Sequence, residues 1–189
     1  FSLITKSDLE YVYDDKEDLK NDMRNDIRLS SQVSLFTSRG FELQREGFYP
    51  IFHKKDADRN ISIKILLPDF NIENEEIDWL MEREKERATF DKAFGNRVLH
   101  AQVKSNVAFL KQYVRLKEVE LKLYNQPHIG RILITDRFAY FTPYSRMNHG
   151  NESNVYKYRR GGAMYNNLKR QFDQYWLGAK EIELEKYES

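Results

Sequence analysis

The chain has 189 residues, with 31 Lys and Arg against 30 Asp and Glu, so global charge selects neither a polyanionic nor a polycationic partner. It has no cysteine, which excludes disulfides, zinc–thiolate sites and cysteine nucleophiles and suits a cytoplasmic protein. No apolar run approaches the roughly 20 residues of a membrane-spanning helix, while 14% aromatic residues supply apolar surface for a packed core. The sequence starts at Phe1 and not at Met, so we expect further domains upstream.

Ser7-Asp8-Leu9-Glu10 has the form of a helix capping box. Leu19, Met23 and Ile27 then recur at four-residue steps among charged residues, which predicts a surface helix from about Lys16 to Ser30. Residues 1–30 read as an N-terminal helical segment, or a linker from an upstream region. Val33–Thr37 reads as a strand, closed by Ser38-Arg39-Gly40. That turn is open to two readings, an anion-binding turn of backbone N–H groups or an ordinary strand-to-helix connection. Phe41–Lys55 reads as a helix in two pieces punctuated by Gly47 and Pro50, with His53 at its exposed end.

Ile61–Leu67 is the clearest strand of the N-terminal half. Strand, helix, strand at this spacing implies a parallel pair. Asn71 to Arg87 reads as a charged helix. Phe90–Lys117 reads as two further helical pieces broken near Gly95-Asn96, with His100 on a polar face. No zinc-protease spacing of His and carboxylate, P-loop or Gly-x-Ser-x-Gly elbow occurs, so no metal or cofactor is expected.

The chemistry concentrates after that. Val119–Tyr124 alternates apolar and charged residues as a half-exposed strand, then comes Gln126-Pro127-His128-Ile129-Gly130. Arg131–Thr135 reads as a strand buried on both faces, and Asp136-Arg137 turns it into Phe138–Thr142. Met147–Ser153 is a polar loop, and Asn154–Tyr158 is a strand. A final helix carries Met164, Tyr165, Leu168, Phe172, Tyr175, Trp176 and Ala179 on one stripe, and residues 181–189 should fray. Arg159, Arg160, Lys169 and Arg170 could form a basic nucleic-acid surface, or simply be a solvated helix end.

This order of elements resembles one half of the phospholipase D superfamily, over about Val33–Trp176 and so a domain of about residues 31–180. The superfamily signature is His-x-Lys-x-x-x-x-Asp, followed by a Gly-Ser turn and Asn. Arg131 stands at the Lys position, Asp136 at the Asp position and Ile129 where the nucleophilic His belongs. His128 comes one residue early, and strand alternation points it to the opposite face. Pro143-Tyr144-Ser145 replaces the Gly-Ser turn, with Asn148 loosely aligned.

The resemblance implies an α/β fold with a mixed, mostly parallel sheet flanked by helices. It also implies a degenerate, non-catalytic module of a larger bacterial regulatory or defence-associated protein, because isoleucine can neither attack phosphorus nor carry a proton. Such a module would sense or bind a phosphate-bearing or anionic ligand through Arg131, Asp136, His128, Tyr144, Asn148 and Ser38. The opposed reading pairs Arg131 and Asp136 within the fold with no ligand. The enzymatic alternative is a phosphodiesterase or nuclease in which a bulge beside Pro127 brings His128 into register. Single-motif members pair about a twofold axis, which implies a homodimer joined near Arg131 and the Met147–Ser153 loop.

Overall fold

Each run of apolar residues singled out above as a strand becomes one in the computed structural model, which describes residues 7–40, 43, 61–144 and 153–183. In chain order the elements are β1 (Leu9–Tyr13), α1 (Lys16–Arg28), β2 (Gln32–Phe36), β3 (Ser62–Pro68), α2 (Trp79–Ala88) and α3 (Val98–Arg115). There follow β4 (Glu120–Tyr124), β5 (Gly130–Thr135), β6 (Phe138–Pro143), β7 (Val155–Arg159), α4 (Ala163–Gly178) and β8 (Lys180–Glu181). The strands form one sheet in the order β1-β7-β6-β5-β2-β3-β4-β8. Its centre is apolar: Leu35, Phe36, Ile65, Leu66, Leu67, Ile132 and Leu133 are at most 1% exposed. Burial of side chains of this size contributes about 1.5–3 kcal/mol each.

Pairing β2–β3 and β3–β4 is parallel, as expected for units joined by long crossovers. The remaining pairs are antiparallel, so the sheet is mostly antiparallel and not mostly parallel. At the centre of the sheet β5 runs against β2, with Val33 opposite Thr135 and Phe36 opposite Ile132. The reason is the length of the connection. A parallel strand needs a return of a dozen or more residues to the other end of the sheet. Residues 125–129 are too few to make that return, so β5 must start at the end where β4 finishes.

The capping box at Ser7–Glu10 is corrected as well. Leu9–Tyr13 is an edge strand on β7, with Tyr13 opposite Val155, as its aromatic and β-branched residues favour. Asp15 caps α1 instead, its side chain accepting from Glu17 N at 2.6 Å. The Leu19-Met23-Ile27 stripe of α1 is buried as predicted. Lys157 of β7 locks this helix down, with Nζ 2.8 Å from both Asp22 and Asp26, while Tyr140 donates to Asp26 and Tyr13 to Asp22.

The helix expected from Asn71 starts only at Trp79, with Asp78 as its cap. Upstream, Asp69 accepts from Asn71 N and Asn74 from Glu76 N, local bonds that offer the backbone an alternative to helix. The helical piece expected from Phe90 is turn until Val98, where Asn96 and Arg97 take positive φ of 54° and 64°. Glu181, expected to fray, pairs with Lys122 in the short edge strand β8. On one face of the sheet α4 packs Tyr175 onto Phe36, ring centroids 4.4 Å apart, and sets Trp176 beneath Lys64 and Lys122. Apart from Leu43, the helix expected at Phe41–Lys55, with His53, lies outside the described residues, and so does Asn148.

Candidate functional site

The geometry of the site follows from the same short connection. Strands β4 and β5 are separated in the sheet by β3 and β2, so residues 125–129 must cross about 14 Å at ~4.8 Å per strand spacing. Six Cα steps from Tyr124 to Gly130 reach about 20 Å at full extension. The link therefore crosses the C-terminal ends of β2 and β3. Tyr175 of α4 fastens it by donating to the Pro127 carbonyl at 2.7 Å.

His128 is thereby set over the end of β2. Its ring lies 4.3 Å from Trp79, 4.9 Å from Tyr144 and 5.9 Å from Phe36, centroid to centroid. Tyr124 Oη is 2.9 Å from His128 Nδ1 and 3.1 Å from the Thr37 carbonyl. A carbonyl can only accept, so the tyrosine proton goes to Thr37 and His128 Nδ1–H is the donor to Tyr124. Nε2 then carries the lone pair. Burial, with the nearby charges of Arg83 and Arg87, pulls His128 down to about 3, so it is neutral at physiological pH.

The predicted site residues divide. Tyr144 joins His128, its N–H donating to the Ile129 carbonyl at 3.0 Å. Ser38 is buried just beyond β2, at the same end of the sheet. Arg131 lies opposite Thr142 in the ladder and its Nη2 donates to Thr142 Oγ1 at 3.1 Å. Strand alternation places it on the same side as Ile129, which is 50% exposed. Asp136 lies at the far end of β5, where it accepts from Ser31 N at 3.0 Å and Ser31 Oγ at 2.8 Å. Partial burial alone would raise this carboxyl, but the hydrogen bonds from Ser31 and Ser30 outweigh it and hold the group below the usual range. Thus Arg131 and Asp136 do not form one pocket with His128. The β5–β6 ladder is regular from Ile134–Ala139 to Gly130–Pro143, with no bulge to bring His128 round to the Arg131 side.

Sequence reasoning missed the inner side of α2. Trp79, Arg83 and Arg87 fall at four-residue steps and are 9%, 6% and 2% exposed. The spacing was legible, but charge at those positions reads as a solvated face. It also missed a buried junction between α2 and α3. His100, expected on a polar face, is 6% exposed, with Nε2 2.8 Å from Asp78 and Nδ1 3.3 Å from Glu84. Glu84 also accepts from Val98 N at 2.5 Å and Leu99 N at 3.2 Å. It therefore caps α3, whose own N-cap residue, Arg97, makes no side-chain cap. Among the described residues no group of His, Cys, Asp and Glu is arranged to hold a metal ion. No helix of the described residues is long and apolar enough to cross a membrane.

The basic residues proposed for a nucleic-acid surface have partners within the chain. Arg159 pairs with Glu10 at 3.4 Å, Lys169 with Asp173 at 2.8 Å, Arg160 donates to the Asp136 carbonyl and Arg170 to Asn167. A separate cavity of about 170 Å³, lined by Ser34, Ser62, Lys64, Tyr165 and Lys169, lies under α4.

No protein-family model matches the chain, and no curated protein matches it. Solved structures do. TrmBL2, an archaeal chromatin protein with a novel mode of DNA binding, superposes with a TM-score of 0.55 at 14% identity, over 91% of this chain and 54% of that one. NucT from Helicobacter pylori superposes with a TM-score of 0.50 at 12% identity, over 91% and 96%. Phosphatidylserine synthase from Haemophilus influenzae Rd KW20 gives 0.55 at 11% identity, over 87% and 37%. The chain thus spans about half of the first of these proteins and little more than a third of the third. The likeness, at 11–14% identity, is one of fold alone.

Proposed function

We propose that this domain is a non-catalytic module that binds a phosphate-bearing or other anionic group at the C-terminal ends of β2 and β4. The observation that carries the reading is the displacement of the imidazole. Position 129, where the superfamily pattern places its nucleophile, is a half-exposed isoleucine on the Arg131 side of the strand. The neighbouring imidazole lies among Trp79, Phe36 and Tyr144, its Nδ1–H held by Tyr124. Arg131 is permanently charged and forked, suited to an oxyanion that is never attacked. A chromatin protein that binds DNA is among the proteins of similar fold, which is compatible with a phosphate-bearing ligand.

The test is hydrolysis. The purified domain should turn over no phospholipid, nucleic acid or simple phosphodiester. If Arg131 holds the ligand, Arg131→Ala should weaken binding by about 1.5–3 kcal/mol, the contribution of a hydrogen bond to a charged group. The second reading, a phosphodiesterase using His128, is favoured by one observation: the neutral tautomer leaves Nε2 with the lone pair a nucleophile needs. Turnover that disappears in His128→Ala would replace the first reading with the second.

A further inference from the structure

Beneath α4 the sheet changes character along its length. Towards the C-terminal ends of β2 and β3 this face carries Phe36 and Leu66, both fully buried, as a face covered by a helix requires. Two and four residues earlier on the same side of each strand stand Ser34 and Gln32 of β2, and Lys64 and Ser62 of β3. The opposite side of these segments is Val33, Leu35, Ile63 and Ile65, all at most 5% exposed, so the polar positions belong to the α4 side alone. The register sets them beside one another. Ser34 lies opposite both Lys64 and Ile134, and Gln32 lies opposite Ser62.

The helix does not fill the space above these positions. It spans the cavity of about 170 Å³ already described, somewhat larger than the ~150 Å³ that accommodates benzene. Ile134 and Phe172, both buried, give it apolar walls. Lys169 and Asp173 of α4 also line it, about half exposed, and neutralise each other at 2.8 Å. Among the described residues, the Ser34 and Ser62 hydroxyls, the Gln32 amide and the Lys64 ammonium have no hydrogen-bond or ion-pair partner in the chain. Lys64 Nζ is held over the Trp176 ring, 5.1 Å from its centroid. The lining therefore carries one cation that none of its carboxylates offsets.

We propose that this cavity binds a small organic monoanion, a short-chain carboxylate bearing a hydroxyl group. Lys64 takes the carboxylate together with the adjacent Ser34 hydroxyl. Ser62 and Gln32 take the ligand's hydroxyl, and Ile134 and Phe172 contact its carbon skeleton. A few convergent polar groups on partly apolar walls are the usual make-up of a small-molecule site. The single unbalanced charge decides the class: a carboxylate carries one negative charge, a phosphate monoester about 1.5–2 at neutral pH. The site lies at the N-terminal ends of β2 and β3, the end of the sheet away from His128, and does not depend on the anion-binding reading above.

NMR titration of the full chain with sodium lactate tests the site. Saturable shifts are expected at the backbone amides of Ser34, Lys64, Ile134 and Phe172. Affinity should fall at least about tenfold in Lys64→Met, which keeps the stem over Trp176 but loses a hydrogen bond to a charged group. Ser34→Leu fills the cavity from the neighbouring strand and should abolish the shifts in a protein that still unfolds cooperatively, so the test survives if Lys64→Met does not fold. Propionate, the same skeleton without the hydroxyl, should bind several-fold more weakly, and equal affinity would overturn the hydroxy-carboxylate assignment. Tighter binding of inorganic phosphate than of lactate would overturn the monoanion. Sodium chloride moving the same amides to the same extent would reduce the effect to screening and overturn the site. So would the absence of saturable shifts at millimolar lactate. Shifts that persist in Lys64→Met and Ser34→Leu but vanish in Arg131→Ala would place the anion at the other end of the sheet and remove the cavity site.

Discussion

A single residue of offset decides which side chain meets the aromatic rings over the sheet end. Ile129 and His128 stand on opposite sides of an extended chain, so the imidazole faces Phe36 and Trp79 while the exposed isoleucine shares its side with Arg131. The same burial gives His128 a measurable signature. Its folded pKa, about 3, lies below the unfolded value of about 6.5. Between those values the unfolded chain binds the extra proton, so stability rises with pH across this window and falls as pH drops through it. The full contribution is on the order of a few kcal/mol. Urea unfolding at pH 4.5 and pH 7 should therefore show His128→Phe losing less stability on acidification than the wild type. An equal loss in both proteins would show that His128 does not carry the effect.

At the scale of elements, two contacts fix how strands and helices meet. Gly130 approaches β6 so closely that a Cβ on it would lie 2.3 Å from the Thr142 carbonyl oxygen. Gly130→Ala must push the two strands apart just where Arg131 and Tyr144 are positioned, and should cost about 1–3 kcal/mol as overpacking does. Thermal unfolding measures the loss, and the Thr142 and Tyr144 amide shifts should move with it. The second contact is Lys157, clamped between Asp22 and Asp26 under α1. Burial alone would raise the Asp22 carboxyl, but hydrogen bonds from Lys157 and Tyr13 hold it below the usual range. Lys157→Met removes the cation and leaves Asp26 buried, with Arg137 at 3.9 Å as a remaining ion partner. Loss of about 3–5 kcal/mol is expected, with much of it restored by adding Asp26→Asn. No restoration in the double variant would mean that the clamp acts by packing and not by charge.

At the scale of the molecule, α2 and α3 are joined by a buried polar junction and not by apolar contact alone. Glu84 of α2 caps α3 and touches His100, whose other nitrogen meets Asp78, the cap of α2. Each helix start thus depends on the other helix. Glu84→Ala should cost roughly 2–4 kcal/mol, combining a lost cap with a stranded buried imidazole. Hydrogen exchange should speed first at the start of α3, at Val98 and Leu99. Faster exchange confined to α2 would count against the shared cap.

The strands from Val33 to Tyr158, the α1 stripe and the α4 stripe were legible in the sequence, because apolar periodicity and β-branched runs report which side of an element is buried. The opposite sides of His128 and Ile129 were legible as well, since alternation along a strand is a local property. Other features depended on which strands become neighbours, a property of the whole chain. Strand β5 turned antiparallel because residues 125–129 are too short to return across the sheet. Residues Leu9–Tyr13 became strand because β7 offered an edge. The separation of Asp136 from His128 is by contrast local, because the extended strand β5 lies between them. The inward Arg83, Glu84 and Arg87 were hidden for a different reason. Periodicity reports the buried side only when that side is apolar, and here Glu84 is engaged by the start of α3 and Arg83 by Glu86.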